Sequence, residues 1–70
     1  MTNAERLRTY LRERGILHRF LAEQIGCTRG QFSLILSGRA LPNDKRKRMI
    51  ALFTEGAVPE HGWVKNGEVR

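Results

Sequence analysis

Polar and basic side chains are interspersed among apolar ones over residues 28–38. Several of them are of the types that recognise nucleic-acid bases. The planar guanidinium of Arg29 matches the O6 and N7 acceptors of guanine, a pairing that discriminates between bases by about 1–3 kcal/mol. Ser33 can pair with several base edges, and an exposed Leu34 would suit the methyl group of thymine. The stretch is therefore a candidate for contact with DNA.

A helical period separates these side chains from an apolar face. At about 100° per residue, Phe32, Ile35 and Leu36 fall together on one side, which predicts that this side is buried. The opposite side and its flanks carry the residues predicted to contact bases. They are Arg29, Gly30, Gln31, Ser33 and Leu34.

Three of these positions have a second interpretation that the sequence leaves open. Arg29 could instead contact a phosphate group or remain a solvated charge. Gln31 could complete a capping box with Thr28, which would occupy its side-chain amide. Gly30 has no side chain to offer, so it either allows close approach of the backbone to DNA or is tolerated near a helix start.

Four helices are predicted to position this stretch. Capping boxes begin helices at Thr2 and Thr28, and Asn43 is a good N-cap for the last helix. No strand signal precedes Val58, so an all-α fold is expected. The apolar faces and their stops are Leu7, Tyr10 and Leu11 before Gly15; Leu21, Ala22 and Ile25 before Gly26; Phe32, Ile35 and Leu36 before Gly38; and Met49, Ile50 and Phe53 before Gly56.

The second and third of these helices have the spacing of a helix-turn-helix. Ala22 is small enough to let two short helices cross closely, and Gly26 can take the positive φ of the turn between them. Phe32 and Ile35 then fix the next helix onto the one before. Such a motif holds its second helix out to enter the major groove of DNA.

Residues around the polar face are predicted to contact DNA phosphates. Residues 45–48 are four consecutive cations at a predicted helix start, where they oppose the helix dipole. Phosphate binding would compensate for them, and a solvated basic face is the alternative. The predicted phosphate contacts are His18, Arg19, Thr28, Ser37, Arg39, Lys45 and Arg46.

Composition bounds the class of protein. Seventy residues make one small domain, and a net charge of +6 favours an anionic partner such as DNA, RNA or an acidic protein surface. Cys27 is the only cysteine, so no disulfide staples the fold and a reducing cytoplasm is expected. The first residues are too charged for a signal peptide, and no apolar run approaches the roughly 18 residues of a membrane helix.

Catalysis and metal binding are not predicted. Cys27, His18 and His61 match no zinc-binding spacing, no acid–base pair is evident, and neither a cofactor nor a small-molecule ligand is implied. Cys27 is expected to pack in the turn between two helices. A reactive thiol is the alternative, and it would need Arg29 to lower its pKa.

Residues 57–70 differ in character from the helical region 1–56 and are predicted to form a tail. Asn66 and Gly67 favour the type I′ turn of a short β-hairpin, and a frayed tail is the alternative. Trp63 is either a cover on the core or an interface anchor. In the hairpin interpretation the predicted contacts of a homodimer are Trp63, Val64 and Val69.

Residues 7–53 resemble the lambda repressor and Cro superfamily of helix-turn-helix proteins, and residues 54–63 resemble the tail of small phage Cro-like and YdaS-like proteins. Leu17 departs from the family, which usually has Ser or Thr there to cap the second helix. His18 stands where a phosphate-contacting Gln is frequent, and Gly30 where a base-reading side chain is frequent. The run at 45–48 replaces positions that usually include apolar residues. The matching positions are Gly15, Leu21, Ala22, Gly26, Phe32, Ile35, Gly38 and Pro42.

The resemblance implies a compact bundle of four or five helices. It also implies a regulator that binds a palindromic operator in double-stranded DNA as a homodimer, without a cofactor and without catalysis. The expected function is that of a Cro-like repressor of phage or prophage origin, acting on the bacterial nucleoid in the cytoplasm. An antitoxin-type autoregulator and a protein-binding phage inhibitor on the same scaffold are the alternatives. A protein interface would be depleted in charge and enriched in aromatic residues, so the small polar face with basic flanks favours DNA.

Overall fold

A computed structural model describes residues 1–65, in which four helices follow one another through short connections. The described residues include no strand, so the all-α prediction is confirmed. Asn66, Gly67 and Val69, on which the hairpin prediction depends, lie outside the described residues. The helices are α1 (Asn3–Arg14), α2 (His18–Gln24), α3 (Arg29–Ser37) and α4 (Asp44–Phe53).

Side-chain caps begin the helices where the sequence predicts them. Thr2 Oγ1 accepts a hydrogen bond of 3.2 Å from the N–H of Glu5, whose Oε1 accepts one of 3.0 Å from the N–H of Thr2. Asn43 Oδ1 accepts from the N–H of Arg46 at 2.8 Å. At the start of α2, Leu17 occupies the N-cap position and makes no side-chain hydrogen bond. Local chemistry thus fixes the starts of α1 and α4, whereas α2 depends on packing.

Left-handed glycines end α1 and α3 as predicted, at Gly15 and Gly38. The other two helices end earlier than the predicted stops. Gly26, with a φ of 75°, follows the end of α2 and reverses the chain between α2 and α3. α4 ends at Phe53, and the N–H of Gly56 then donates to the carbonyl of Ala51 at 2.8 Å.

The core lies where the inner sides of the four helices meet, and α3 packs against both α1 and α2. Tyr10 departs from its predicted place in the apolar face of α1. It is half-buried, and the guanidinium of Arg14 lies over its ring at 4.1 Å from the centroid. The largest fully buried apolar side chains are Phe32, Leu7, Leu11, Leu21, Ile50 and Val58.

The segment after α4 is part of this core rather than a separate tail. Trp63 is only 9% exposed, and Val58 is fully buried. Asn3 Nδ2 donates to the carbonyl of Pro59 at 3.1 Å and to that of His61 at 2.9 Å, which holds the segment against α1. The structure therefore corrects the prediction that Trp63 is a dimer contact, because its side chain packs within its own chain.

Candidate nucleic-acid interface

A capping box positions the start of α3. Thr28 Oγ1 accepts from the N–H of Gln31, and Gln31 Oε1 accepts from the N–H of Thr28, both at 3.1 Å. The cap interpretation of Gln31 is thus confirmed. Its amide oxygen is engaged, so only the amide nitrogen is left to donate to a base.

The two sides of α3 are divided as the helical period predicts. Phe32, Ile35 and Leu36 are buried. The opposite side is exposed, and Leu34 on that side keeps 45% of its surface accessible. The buried side already anchors α3 in the core, so the exposed Leu34 is available to contact a partner. Arg29, Gly30, Gln31, Ser33 and Ser37 are exposed with it.

The turn before α3 packs its cysteine against the core, the first of the two interpretations that the sequence leaves open. The N–H of Cys27 donates to the carbonyl of Ala22 at 2.8 Å, and the Cys27 side chain packs against the core. Burial raises the pKa of the Cys27 thiol, and this outweighs the lowering effect of the Arg46 guanidinium. The turn therefore contains a packed thiol rather than an activated one, and Arg46, not Arg29, is the cation that acts on it.

A groove of about 750 Å³ runs between the N-terminal end of α2 and the exposed side of α3. It brings together five of the predicted DNA contacts, from both the base-contacting and the phosphate-contacting sets. Among the described residues no carboxylate lines it, so its electrostatic character is cationic. Its polar lining consists of Arg8, His18, Arg19, Arg29, Ser33 and Ser37.

Arg8 is the lining residue that sequence reasoning missed. It lies on α1, and its Nη1 donates to the carbonyl of Leu36 in the last turn of α3. This places a cation at the C-terminal end of α3, where the helix dipole favours positive charge. The sequence signal that could have identified Arg8 is its position next to Leu7, on the border of the apolar face of α1.

The remaining predicted phosphate contacts lie outside the groove. Lys45 and Arg46 line a separate concavity of about 370 Å³ beside the C-terminal end of α2. Arg46 is engaged there, since its Nη2 donates to the carbonyl of Gly26 at 2.7 Å and its Nε to that of Ile25 at 3.4 Å. Arg39 is exposed in the connection after α3 and lines neither of these two concavities.

Internal partners compensate for most of the charge at the start of α4. Lys47 lies 3.8 Å from Asp44, and Arg48 lies 3.9 Å from Glu60. Such surface pairs, each with one largely exposed partner, contribute about 0–1 kcal/mol each. Phosphate is therefore not needed to explain this run of cations, although Lys45 makes no ion pair or side-chain hydrogen bond within residues 1–65.

Within 1–65, no group of three or more His, Cys, Asp or Glu side chains could hold a metal ion. No helix of this region is long and apolar enough to cross a membrane. No family model, curated protein or solved structure matches the chain significantly. Functional conclusions therefore rest on the residues and the geometry.

Proposed function

We propose that this chain is a sequence-specific DNA-binding protein that regulates transcription. The observation that carries the proposal is the exposed side of α3, where Arg29, Ser33 and Leu34 project from a helix whose other side is buried. The major groove of B-DNA is about 12 Å wide and admits one α-helix. In this proposal α3 enters the major groove of the DNA, and these three side chains contact base edges.

The distribution of charge also supports the insertion of α3 into the major groove. Arg8, Arg19 and Arg29 line a groove beside α3 that is free of carboxylates among the described residues. Phosphates flank the major groove on both sides, so cations next to an inserted helix would meet them. These contacts fix the position of the protein on the duplex and make its affinity depend on salt.

The unit formed by α2, the turn at Gly26 and α3 acts in this proposal as a helix-turn-helix of the Cro type. α2 would cross the DNA backbone while α3 reads the bases. The residues that face outward on α3 include no aromatic side chain, which favours DNA over a protein partner.

The proposed regulator binds as a dimer to a palindromic operator. One recognition helix contacts too few base pairs to select a site in a genome, and a two-fold dimer doubles that number. Half-site centres are then about 34–36 Å apart. Occupation of such an operator would exclude RNA polymerase and repress transcription.

Selection of bound sequences from a random pool of duplex DNA tests this proposal. We expect a palindromic consensus, and we expect its affinity to fall by about 0.9 log units per phosphate contact for each tenfold rise in salt. Duplex RNA of the same sequence is the control, because its deep, narrow major groove does not admit a helix. Equal affinity for all sequences, or an affinity independent of salt, would overturn the proposal.

A further inference from the structure

Apolar side chains of α2 and α4 form a second exposed surface, distinct from the groove beside α3. Leu52 is 73% exposed and Phe20 is 48% exposed. The ring of Phe20 lies against that of Phe53, with 6.2 Å between centroids. A concavity of about 330 Å³ beside these rings is lined by Gln24 and Met49 together with Leu52 and Phe53. We call these five residues the α2–α4 patch. Clusters of exposed apolar side chains mark interaction sites more often than isolated ones do.

Two charges at the ends of α4 oppose its dipole, although Asp44 in the first turn is favourable for it. Lys45 lies in the first turn, where negative charge is favoured, and Glu55 lies just past the last turn, where positive charge is favoured. Neither side chain makes an ion pair or hydrogen bond with another residue of 1–65. The helix therefore has an unpaired cation, Lys45, in its first turn and an unpaired anion, Glu55, just past its end.

The backbone at Glu55 has a left-handed conformation. Its φ is 55°, and within residues 1–65 every other residue with a positive φ is a glycine. A left-handed residue after a helix is usually Gly or Asn, since a longer side chain costs conformational energy there. Glutamate at this position is thus unfavourable both for the backbone and for the dipole, which points to a role outside the isolated chain.

We propose that the α2–α4 patch binds the same patch of a second copy of this chain, with the two α4 helices antiparallel. A two-fold axis makes such a contact self-complementary. The antiparallel arrangement brings Lys45 of one copy toward Glu55 of the other and places Leu52 in the apolar centre. The charges that are unfavourable within one chain then become complementary between two.

The size of the patch sets the strength of this contact. A standard interface takes about 800 Å² from each partner, whereas the described residues have a total surface of 4730 Å². Five side chains supply less than the standard area, so the dimer is expected to form in a concentration-dependent way. The exposed side of α3 contributes nothing to this contact and stays available in both copies.

Sedimentation equilibrium without DNA tests the proposal independently of any DNA binding. The wild-type chain is expected to dimerise, and Leu52→Glu is expected to raise the dimer dissociation constant by about tenfold or more. The matched control is Leu17→Glu, which changes a residue that is 61% exposed but lies outside the patch. Circular dichroism checks that both variants remain helical. A wild-type chain that stays monomeric, or equal effects of the two substitutions, would overturn the proposal.

Charge reversal tests the antiparallel arrangement. Lys45→Glu and Glu55→Lys should each weaken the dimer, and the double variant should recover most of the loss. Each single variant should also raise the melting temperature at concentrations where the chain is monomeric, because each improves the match to the dipole of α4. Opposite shifts in monomer stability and dimer affinity support the arrangement. Failure of the double variant to recover the dimer overturns it.

Discussion

The guanidinium of Arg46 donates a hydrogen bond of 2.7 Å to the carbonyl oxygen of Gly26. The last carbonyls of a helix have no partner within it, and a cation at that end is favoured by the dipole. Arg46 supplies both the hydrogen-bond donor and the positive charge at the C-terminal end of α2. It also connects the start of α4 to the turn that precedes α3. A residue that the charge run marked as a phosphate contact therefore also positions the turn.

Arg46→Ala should lower the free energy of unfolding by about 1 kcal/mol, because the carbonyls of Ile25 and Gly26 lose their donor. Lys47→Ala is the matched control, since Lys47 makes only an ion pair of 3.8 Å with Asp44, whose side chain is 93% exposed. Urea denaturation measures both variants. Equal stability of the two variants would show that the Arg46 hydrogen bonds contribute nothing.

Arg29→Ala should relax base preference at one position in each half-site, at a cost of about 1–3 kcal/mol for the preferred base. Arg19→Ala serves as its comparison, because a phosphate contact weakens all sequences alike and reduces the salt slope by about 0.9. Competition binding with single-base operator variants distinguishes a base contact at Arg29 from a phosphate contact at Arg19. An even loss of affinity across those variants would make Arg29 a phosphate contact as well.

Gly30→Ala should separate fold stability from DNA binding. A Cβ at Gly30 would meet nothing within 4 Å, and the backbone there is helical. The substitution should thus stabilise α3 by about 0.5–1 kcal/mol. If the backbone of α3 approaches the DNA closely, operator affinity falls at the same time. Unchanged affinity in a more stable variant would instead mean that glycine is merely tolerated at this position.

Trp63→Ala should lower the free energy of unfolding by about 3–5 kcal/mol, since it removes a large side chain from the core. Truncation after Glu60 should have an effect at least as large, because it also removes the His61 carbonyl that Asn3 binds. Truncation after Lys65 retains both groups and is the control. Thermal unfolding followed by circular dichroism gives the comparison. A fully stable chain that ends at Glu60 would contradict the assignment of Trp63 to the core.

Local rules predicted the starts of α1, α3 and α4 correctly. Each depends on a side chain that bonds to a backbone group three residues away, as Thr28 and Gln31 do, so a short window of sequence contains the whole interaction. The exposed and buried sides of α3 were predictable for the same reason, since the period of the helix alone assigns Phe32 inward and Leu34 outward.

Contacts between distant segments could not be predicted in this way. The periodicity of α1 says nothing about which carbonyl Arg8 reaches, and the run at 45–48 does not distinguish Arg46 from its neighbours. The sequence left Trp63 open as a cover on the core or an interface anchor, because it follows the last predicted helix. The hydrogen bonds of Asn3 hold that segment on the core. These features arise only when α1, α3 and α4 meet.

The hydrogen bonds from Asn3 to Pro59 and His61 have a consequence for synthesis of the chain. They join positions 56 and 58 residues apart, so the core stays incomplete until the ribosome has released Trp63. Until then the N-terminal end of α1, where Asn3 binds this segment, lacks part of its cover and is open to chaperones. Nascent chains that stall before this point would be substrates for proteolysis.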